Sequence, residues 1–224
     1  LDPTVGFKVT KVLQGALSLS KKTGKPVLKP ITNSILHALI GATKYCLLDN
    51  YQCLMYKALF LISFYACLRA GEVVHTNKTS HTLLLNQVRL HDTQCGKGYE
   101  IFFNSYKHSG LAQPKVIIEP LHSKYCPVGA LRKYITARGN QPGPLFMTQE
   151  GRALNRQEFS TTLKECLEFK RYPSELFNTH SFRIGRATEL ASQNVPENII
   201  KSTGRWKSSA YLKYIRPSHF TLPH

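Results

Sequence analysis

The segment Asn178–Leu190, NTHSFRIGRATEL, holds the densest set of side chains that could do chemistry. His180 and Arg183 are three residues apart, so they share one face if the segment is helical. A helix N-terminus favours an anion, and a guanidinium donates two hydrogen bonds to one phosphate. The pair therefore indicates a phosphate site, whereas a His alone would indicate a packed or capping residue. Gly185 and Ala187 indicate that another segment approaches this helix closely.

A second candidate is the Arg69–Glu72 pair in the segment ACLRAGEV. An arginine at the end of an apolar helix is costly to bury unless a carboxylate pairs with it. The pair is therefore either structural, or an arginine that Glu72 holds towards an anion. Lys107, in the turn NSYKHSG, follows an apolar strand and by itself indicates a solvated surface lysine.

The C-terminal segment STGRWKSSAYLKYIR contains the only tryptophan, Trp206, and two tyrosines, Tyr211 and Tyr214. One interpretation is a terminal helix that docks through its aromatic rings. The other is that a tyrosine hydroxyl acts as a nucleophile. The segment alone does not decide between them.

The composition narrows the class of partner. The chain has 224 residues and a formal net charge of +17 at pH 7, which predicts a polyanionic partner, most commonly nucleic acid. Six cysteines without a C-x-x-C pair and nine histidines without ligand spacing predict reduced thiols and no metal site. No apolar run reaches the roughly 20 residues of a membrane span, so we expect no membrane partner.

The elements that would bring these residues together are mostly helical. Apolar spacing predicts helices within 31–47, 50–73, 127–139 and 155–169, after Asn178, after Pro196 and at the C-terminus. The second of these is apolar nearly all round, so it should be a buried helix that ends in a break near Gly71. Partial alternation within 82–120 predicts two or three short antiparallel strands. The expected fold class is mainly α with a small antiparallel β-sheet, an α+β fold.

The chain divides near residue 30. Helical spacing over 5–18 is followed by a basic stretch rich in Lys, Gly and Pro, which predicts a linker. We therefore expect residues 1–29 to be the end of a preceding domain with its linker, and residues 30–224 to be the main domain.

Taken together, these motifs resemble those of the tyrosine recombinase (phage integrase) family. The family pattern is an Arg with an acidic residue three later, a hairpin Lys, His-x-x-Arg, a His or Trp, and a Tyr. This chain has the same order: Arg69, Glu72, Lys107, His180, Arg183, Trp206 and Tyr214. The similarity covers roughly residue 30 to the end. The segments HSFRIGRAT and GRWKSSAYLKYIR most resemble those of eukaryotic DIRS-like or Crypton-like mobile elements.

The resemblance implies the tyrosine recombinase catalytic-domain fold over 30–224, after the end of a DNA-binding (core-binding) domain in 1–29. It implies site-specific cleavage and rejoining of double-stranded DNA through a 3′-phosphotyrosine intermediate, in recombination or integration of a mobile element. No metal, nucleotide or other cofactor is implied. The expected assembly is a homotetramer in the synaptic complex, and the expected location is the nucleus, or the cytoplasm if the host is prokaryotic.

The resemblance also implies a role for each matching residue. Arg69, Arg183 and His180 would neutralise the phosphate and stabilise the five-coordinate transition state. His180 would also serve as the general base. Glu72 would orient Arg69 or His180, and Trp206 would buttress the site through its N–H and its packing.

Two assignments leave alternatives open. Tyr214 would be the nucleophile, but it follows the tryptophan by eight residues where members commonly have nine, so Tyr211 is its rival. Lys107 would be the general acid that protonates the leaving 5′-oxygen, with Lys97 and Lys115 as alternatives because hairpins vary.

Two other functions fit the same residues. A type IB topoisomerase-like nicking enzyme shares the Arg, Lys, His and Tyr chemistry but acts as a monomer on one strand. A domesticated DNA-binding domain that no longer cleaves would have no need of Tyr214 and Lys107 together.

Overall fold

The computed structural model describes residues 27–76, 82–103 and 114–219, and the structural statements below concern those residues. The helix expected over 5–18 lies outside them, so the preceding domain and its linker remain predictions. Lys107 also lies outside them. The described ranges contain seven α-helices and three β-strands.

The first two helices form the centre of the domain. Helix α1 spans Asn33–Cys46 and begins at Thr32, whose side chain accepts a hydrogen bond from a backbone N–H of the first turn. Helix α2 spans Asn50–Tyr65 and begins at Asp49, which caps it in the same way. Helix α2 is buried on nearly all sides, as its apolar composition predicts.

The prediction that this second helix continues to a break near Gly71 is wrong. Helix α2 ends at Tyr65, and Cys67 adopts a left-handed conformation with φ 51°. The N–H of Leu68 then donates to the carbonyl of Ser63, so the chain folds back over the helix end. A separate turn, α3, spans Ala70–Val73. The break takes Arg69 out of the apolar helix and leaves it exposed, while Leu68 and Glu72 on either side stay buried.

The strands form one antiparallel sheet, as predicted for 82–120. Strand β1 spans Val88–Thr93, β2 spans Gly96–Phe102 and β3 spans Lys115–Ile118. Their order is β1-β2-β3. Gly96 takes φ 111° at the turn between β1 and β2, a conformation that other residues rarely adopt.

The second half of the chain is helical. Helix α4 spans Pro127–Arg138 and ends at Gly139, with φ 78°, as the sequence predicts. The remaining elements are α5, Arg156–Phe169; α6, Ser181–Ser192; α7, Glu197–Gly204; and a 3₁₀ segment, Ser209–Tyr214.

The core forms around α2, which packs against α1, α4 and α6, while α1 also packs against α5. Stacked rings of Phe60, Phe159 and Phe182 join α2, α5 and α6 at centroid distances of 5.5–6.1 Å. A smaller apolar cluster, which includes Trp206 and Tyr211, lies between α6 and the C-terminal segment. The predicted fold class, mainly α with a small antiparallel sheet, is confirmed. None of the helices in the described ranges combines the length and the apolar character that a membrane span requires.

Candidate active site

His180 and Arg183 lie at the start of α6. His180 precedes the first helical residue and donates its backbone N–H to the side-chain oxygen of Asn178 at 2.8 Å. Its ring lies against the ring of Tyr214, with centroids 5.0 Å apart. The N-terminal end of α6 therefore meets the C-terminal segment of the domain at His180.

Gly185 shows why this helix carries small residues. A Cβ atom at this position would lie 1.9 Å from the carbonyl oxygen of Ile31 and 3.1 Å from the ring of Phe64. The N–H of Ile31 donates to the carbonyl of Ser181 at 3.0 Å. The chain that enters the domain therefore lies directly on α6 and holds its first turns in place.

Arg183 is completely buried. Its Nη1 donates to the carbonyl of Cys67, at the break after α2, and its Nη2 donates to the carbonyl of Gly204 at 2.6 Å. The guanidinium carbon lies 4.0 Å from the ring centroid of Trp206 and 5.2 Å from that of Tyr214. Its Nε–H is buried and has no partner among the described residues. Arg183 thus joins three segments and still carries a polar N–H that is not hydrogen-bonded.

Glu72 is a buried carboxylate shared by two arginines. It accepts from the side chain and the backbone N–H of Arg69, both at 2.8 Å, and from Arg205 at 2.7 Å. The Arg69 side chain is 45% exposed, whereas that of Arg205 is only 10% exposed. Burial by itself would raise the pKa of Glu72, but the charge of Arg205 and the hydrogen bonds and charge of Arg69 together lower it. Arg69 is therefore held from one side and open to solvent on the other.

Trp206 lies between Arg183 and Tyr214, and its ring centroid is 5.1 Å from that of Tyr214. Two neighbouring residues allow this position. A Cβ atom on Gly204 would lie 1.8 Å from the indole ring, so only glycine fits there. Arg205 adopts the left-handed conformation, with φ 55° and ψ 42°, which turns the chain sharply between its neighbours.

The two candidate tyrosines occupy different surroundings. Tyr214 is half-buried, and its ring contacts both His180 and Trp206. Tyr211 is 5% exposed and lies in the apolar cluster, where burial and the Glu197 carboxylate raise its pKa to about 12. Of the two tyrosines, Tyr214 is the one that adjoins the His180–Arg183 pair.

His180 is uncharged at neutral pH in this site. Burial, then the positive charges of Arg183 and Arg69, and then those of Arg216 and Arg156, lower its pKa to about 4. A neutral imidazole keeps a nitrogen lone pair that accepts a proton.

Two of the three candidate lysines lie in the described sheet. Lys97 pairs with Asp92 at 2.7 Å, at the β1–β2 turn. Lys115 pairs with Glu100 at 2.8 Å. Lys107 belongs to the β2–β3 connection, outside the described residues.

Phe103, which ends the described part of that connection, is buried against the site. Its ring centroid lies 4.3 Å from the guanidinium carbon of Arg205. Lys107 follows four residues later, so at most about 14 Å of extended chain separates the two. Lys97 lies at the opposite end of β2, about 17 Å from Phe102 at strand spacing. Lys115 pairs in register with Phe102, so it lies on the face of the sheet opposite to Phe103.

Two arginines of the site were not predicted from the sequence. Arg205 meets Glu72 across 133 residues of chain, and nothing local to either residue indicates the contact. Arg216 follows the tyrosine and donates to the carbonyls of Lys213, at 2.8 Å, and Leu28, at 3.4 Å. The only sequence signal for both was their position beside the aromatic residues of the C-terminal motif.

The assembled side chains suit an anion that carries several oxygens. Arg69 and Arg205 share the Glu72 carboxylate, and Arg183 is held by backbone carbonyls, so the positive charge of the three arginines exceeds the negative charge of the carboxylate. A neutral His180 and the Tyr214 ring border the same region. No cluster of three or more His, Cys, Asp or Glu side chains suited to a metal ion occurs within the described ranges.

Comparison with known proteins identifies the fold. Neither a scan against protein-family models nor a search of curated proteins found a match. Among solved structures, the XerH recombinase bound to its difH substrate has a TM-score of 0.62 at 15% identity, over 84% of this chain and 50% of that chain. The FLP recombinase–Holliday junction complex has a TM-score of 0.56 at 12% identity, over 98% of this chain and 53% of that chain. The Tn1549 transposon integrase with circular intermediate DNA has a TM-score of 0.52 at 15% identity, over 84% of this chain and 60% of that chain.

At these identities the likeness establishes the fold, which is that of the tyrosine recombinase catalytic domain, as expected from the sequence. This chain spans about half to three fifths of the length of those proteins.

Proposed function

We propose that this chain cleaves and rejoins DNA strands through a covalent 3′-phosphotyrosine at Tyr214. The observation that carries the proposal is the position of the Tyr214 ring, 5.0 Å from the ring of His180 and 5.2 Å from the guanidinium of Arg183. Attack on a phosphodiester needs a nucleophile, a base that accepts its proton and a positive charge beside the phosphate oxygens. Tyr214, the neutral His180 and Arg183 could supply these three groups. The fold shared with DNA recombinases supports the same function.

In the proposed reaction the Tyr214 oxygen attacks phosphorus, and the bond from phosphorus to the 5′-oxygen breaks. His180 accepts the phenol proton, because its imidazole is neutral at pH 7 and carries a nitrogen lone pair. Arg69 and Arg183 bind the non-bridging oxygens, whose charge grows in the five-coordinate transition state. Because the phosphotyrosine keeps the bond energy, attack by a 5′-hydroxyl reverses the reaction without an external energy source.

Binding of the phosphate requires a local rearrangement. Arg183 has no exposed surface, because the rings of Trp206 and Tyr214 lie over its guanidinium. The unpartnered Nε–H of Arg183 becomes available to a phosphate once the Tyr214 ring moves aside. The phenol would then stand beside the phosphate it attacks.

The leaving 5′-oxygen needs a proton, and Lys107 is the proposed donor. Its connection leaves the sheet at Phe103, which contacts Arg205 inside the site. Lys97 lies at the far end of β2 in an ion pair with Asp92, and Lys115 lies on the other face of the sheet. These positions favour Lys107 over both alternatives.

The proposed biological setting follows from the sequence motifs. The segments HSFRIGRAT and GRWKSSAYLKYIR favour an enzyme of a DIRS-like or Crypton-like mobile element, acting in the nucleus on double-stranded DNA. The resemblance supports a tetramer in the synapse and a preceding core-binding domain that ends within 1–29. A type IB-like nicking enzyme would share the chemistry but would not exchange strands between two duplexes.

A nicked duplex that traps the covalent intermediate tests the proposal. After cleavage the short downstream fragment, which carries the leaving 5′-hydroxyl, diffuses away, so the protein–DNA adduct accumulates and survives denaturant. We expect the unaltered protein and the Tyr211→Phe variant to form the adduct, and Tyr214→Phe to form none while it still binds DNA. An adduct with Tyr214→Phe, or none with the unaltered protein at concentrations that saturate binding, would contradict the proposal.

A further inference from the structure

Arg205 makes several contacts that have no role in the proposed reaction steps. Its Nη2 donates to Glu72 at 2.7 Å, its Nη1 donates to the carbonyl of Ala66 at 3.2 Å, and its guanidinium covers the ring of Phe103 at 4.3 Å. Ala66 closes the C-terminal end of α2, and Phe103 begins the connection that contains Lys107. One guanidinium thus joins the Arg69 turn to the end of the sheet.

The backbone at Arg205 is held in an unusual conformation. A non-glycine residue at φ 55° is strained relative to glycine. Glycine would remove that strain and would also allow the sharp turn between Gly204 and Trp206. The presence of an arginine is therefore not explained by the turn, but it is explained by the contacts of the side chain.

The charge of Arg205 changes what Arg69 presents to an anion. A lone pair of Arg69 and Glu72 would be neutral overall, so its attraction for a phosphate would be weak. With Arg205 bound to the second carboxylate oxygen, the three groups carry one net positive charge. The charge of Arg205 is the largest single cause that lowers the pKa of Glu72 against the effect of burial, and it therefore helps to keep the carboxylate ionised and bound to Arg69.

From these contacts we infer that Arg205 is a positioning residue that holds the Arg69 turn and the strand end before Lys107 in one fixed arrangement. The inference rests on the proposed function for its catalytic consequence. Arg205 acts through Glu72 on the arginine that binds phosphate, and it also holds Phe103, the residue at which the connection that carries Lys107 leaves the sheet.

Arg205→Gly is the appropriate variant, because glycine relaxes the left-handed backbone while it removes the guanidinium. Arg171→Gly is the matched control. Arg171 is also an arginine in the left-handed conformation, with φ 59°, but it is exposed and lies beyond the far end of α5. Both variants lose one positive charge, so their difference isolates the contacts of Arg205.

Single-turnover adduct formation on the nicked duplex gives the first measurement. We expect Arg205→Gly to slow it about 100-fold, with the Kd for DNA within about threefold of that of Arg171→Gly. A second duplex carries sulfur in place of the leaving 5′-oxygen. A thiolate leaves without a proton, since a thiol has a pKa near 8.5, so this substrate bypasses the general acid. The rate loss of Arg205→Gly, relative to the unaltered protein, should be at least tenfold smaller on the sulfur substrate than on the oxygen substrate. Lys107→Ala should show the same recovery.

Three results would overturn the inference. They are a rate loss below about threefold, a loss explained wholly by weaker DNA binding, and equal losses on the oxygen and sulfur substrates. A separate measurement does not depend on cleavage. The amide of Arg69, which donates to Glu72, should exchange hydrogen faster in Arg205→Gly than in Arg171→Gly. If the unaltered protein forms no adduct, the proposed function fails, and equal exchange in the two variants would still refute the positioning role.

Discussion

Replacement of Arg183 should destabilise the domain as well as impair cleavage, because the buried guanidinium also holds the structure together. Arg183→Ala leaves the carbonyls of Cys67 and Gly204 buried without their donors, at about 1–3 kcal/mol each. It also removes the stacking on Trp206, worth about 2 kcal/mol in a desolvated site. Removing a buried charge that has no carboxylate partner offsets part of this. We expect a net loss of about 3 kcal/mol in the free energy of unfolding.

The single tryptophan provides the assay. Trp206 stacks on Arg183 itself, so its fluorescence during urea unfolding reports on the site, while circular dichroism reports on the helices. Arg183→Lys keeps the charge and reaches one carbonyl, so about half the loss is expected. Arg152→Ala is the control, since Arg152 forms an exposed pair with Glu158, and exposed pairs contribute little to stability.

A loss below about 1 kcal/mol for Arg183→Ala would refute the reasoning, because the two carbonyls would then have found other partners. If the loss occurs, cleavage by this variant has to be compared at a temperature where both proteins are folded. Only a rate difference that persists there reports on the transition state.

Two further predictions follow from packing and from protonation. Gly185→Ala should lower the free energy of unfolding by about 1–3 kcal/mol or more, because its Cβ would meet the backbone of Ile31. Gly41→Ala, in open space within α1, should instead raise the free energy of unfolding by about 0.5–1 kcal/mol. Urea unfolding of both variants checks this, and equal effects would contradict it. The pKa of His180 falls from 6.5 to about 4 on folding, so the unfolded chain binds more protons than the folded chain between these two pH values. The free energy of unfolding should therefore decrease as the pH is lowered from 6.5 to about 4. The decrease should be at most about 3 kcal/mol before solvent screening. Urea unfolding at pH 7 and pH 5 should show a larger loss for the unaltered protein than for His180→Gln, and the same loss in both would exclude His180 as the source.

The sequence predicted the helices and strands better than the turns that connect them. Helix α1 and helix α4 follow from local signals, a Thr cap at one and a Gly stop at the other. The break after α2 did not, because the apolar pattern runs through Cys67, and the turn there depends on tertiary contacts such as the hydrogen bond from Arg183 to its carbonyl. A hydrophobic pattern records which residues are buried, but not where a buried chain reverses.

The candidate site was predictable where a motif sets the spacing along one segment, as for His180 and Arg183. It was not predictable where a side chain acts across the fold. Arg205 was missed because its partner Glu72 is 133 residues away. Tyr214 and Tyr211 were left as alternatives because the eight-residue spacing from Trp206 to Tyr214 departs from the common nine. Helical periodicity does not separate the two tyrosines, since residues three apart share a face in an α-helix and in a 3₁₀ segment alike.

The two arginines of HSFRIGR show how the fold separates a charge for binding from a charge for structure. Arg186 pairs with the carboxylate of Glu189 at 2.6 Å, so its charge is largely cancelled. Arg183, one turn earlier, is held by two backbone carbonyls, which accept hydrogen bonds from its Nη1 and Nη2 but carry no net charge. Its full positive charge is therefore kept in a buried site, where its attraction for an anion is weakly screened. Arg183→Ala should consequently reduce cleavage after stability is matched, while Arg186→Ala under the same conditions should change mainly stability.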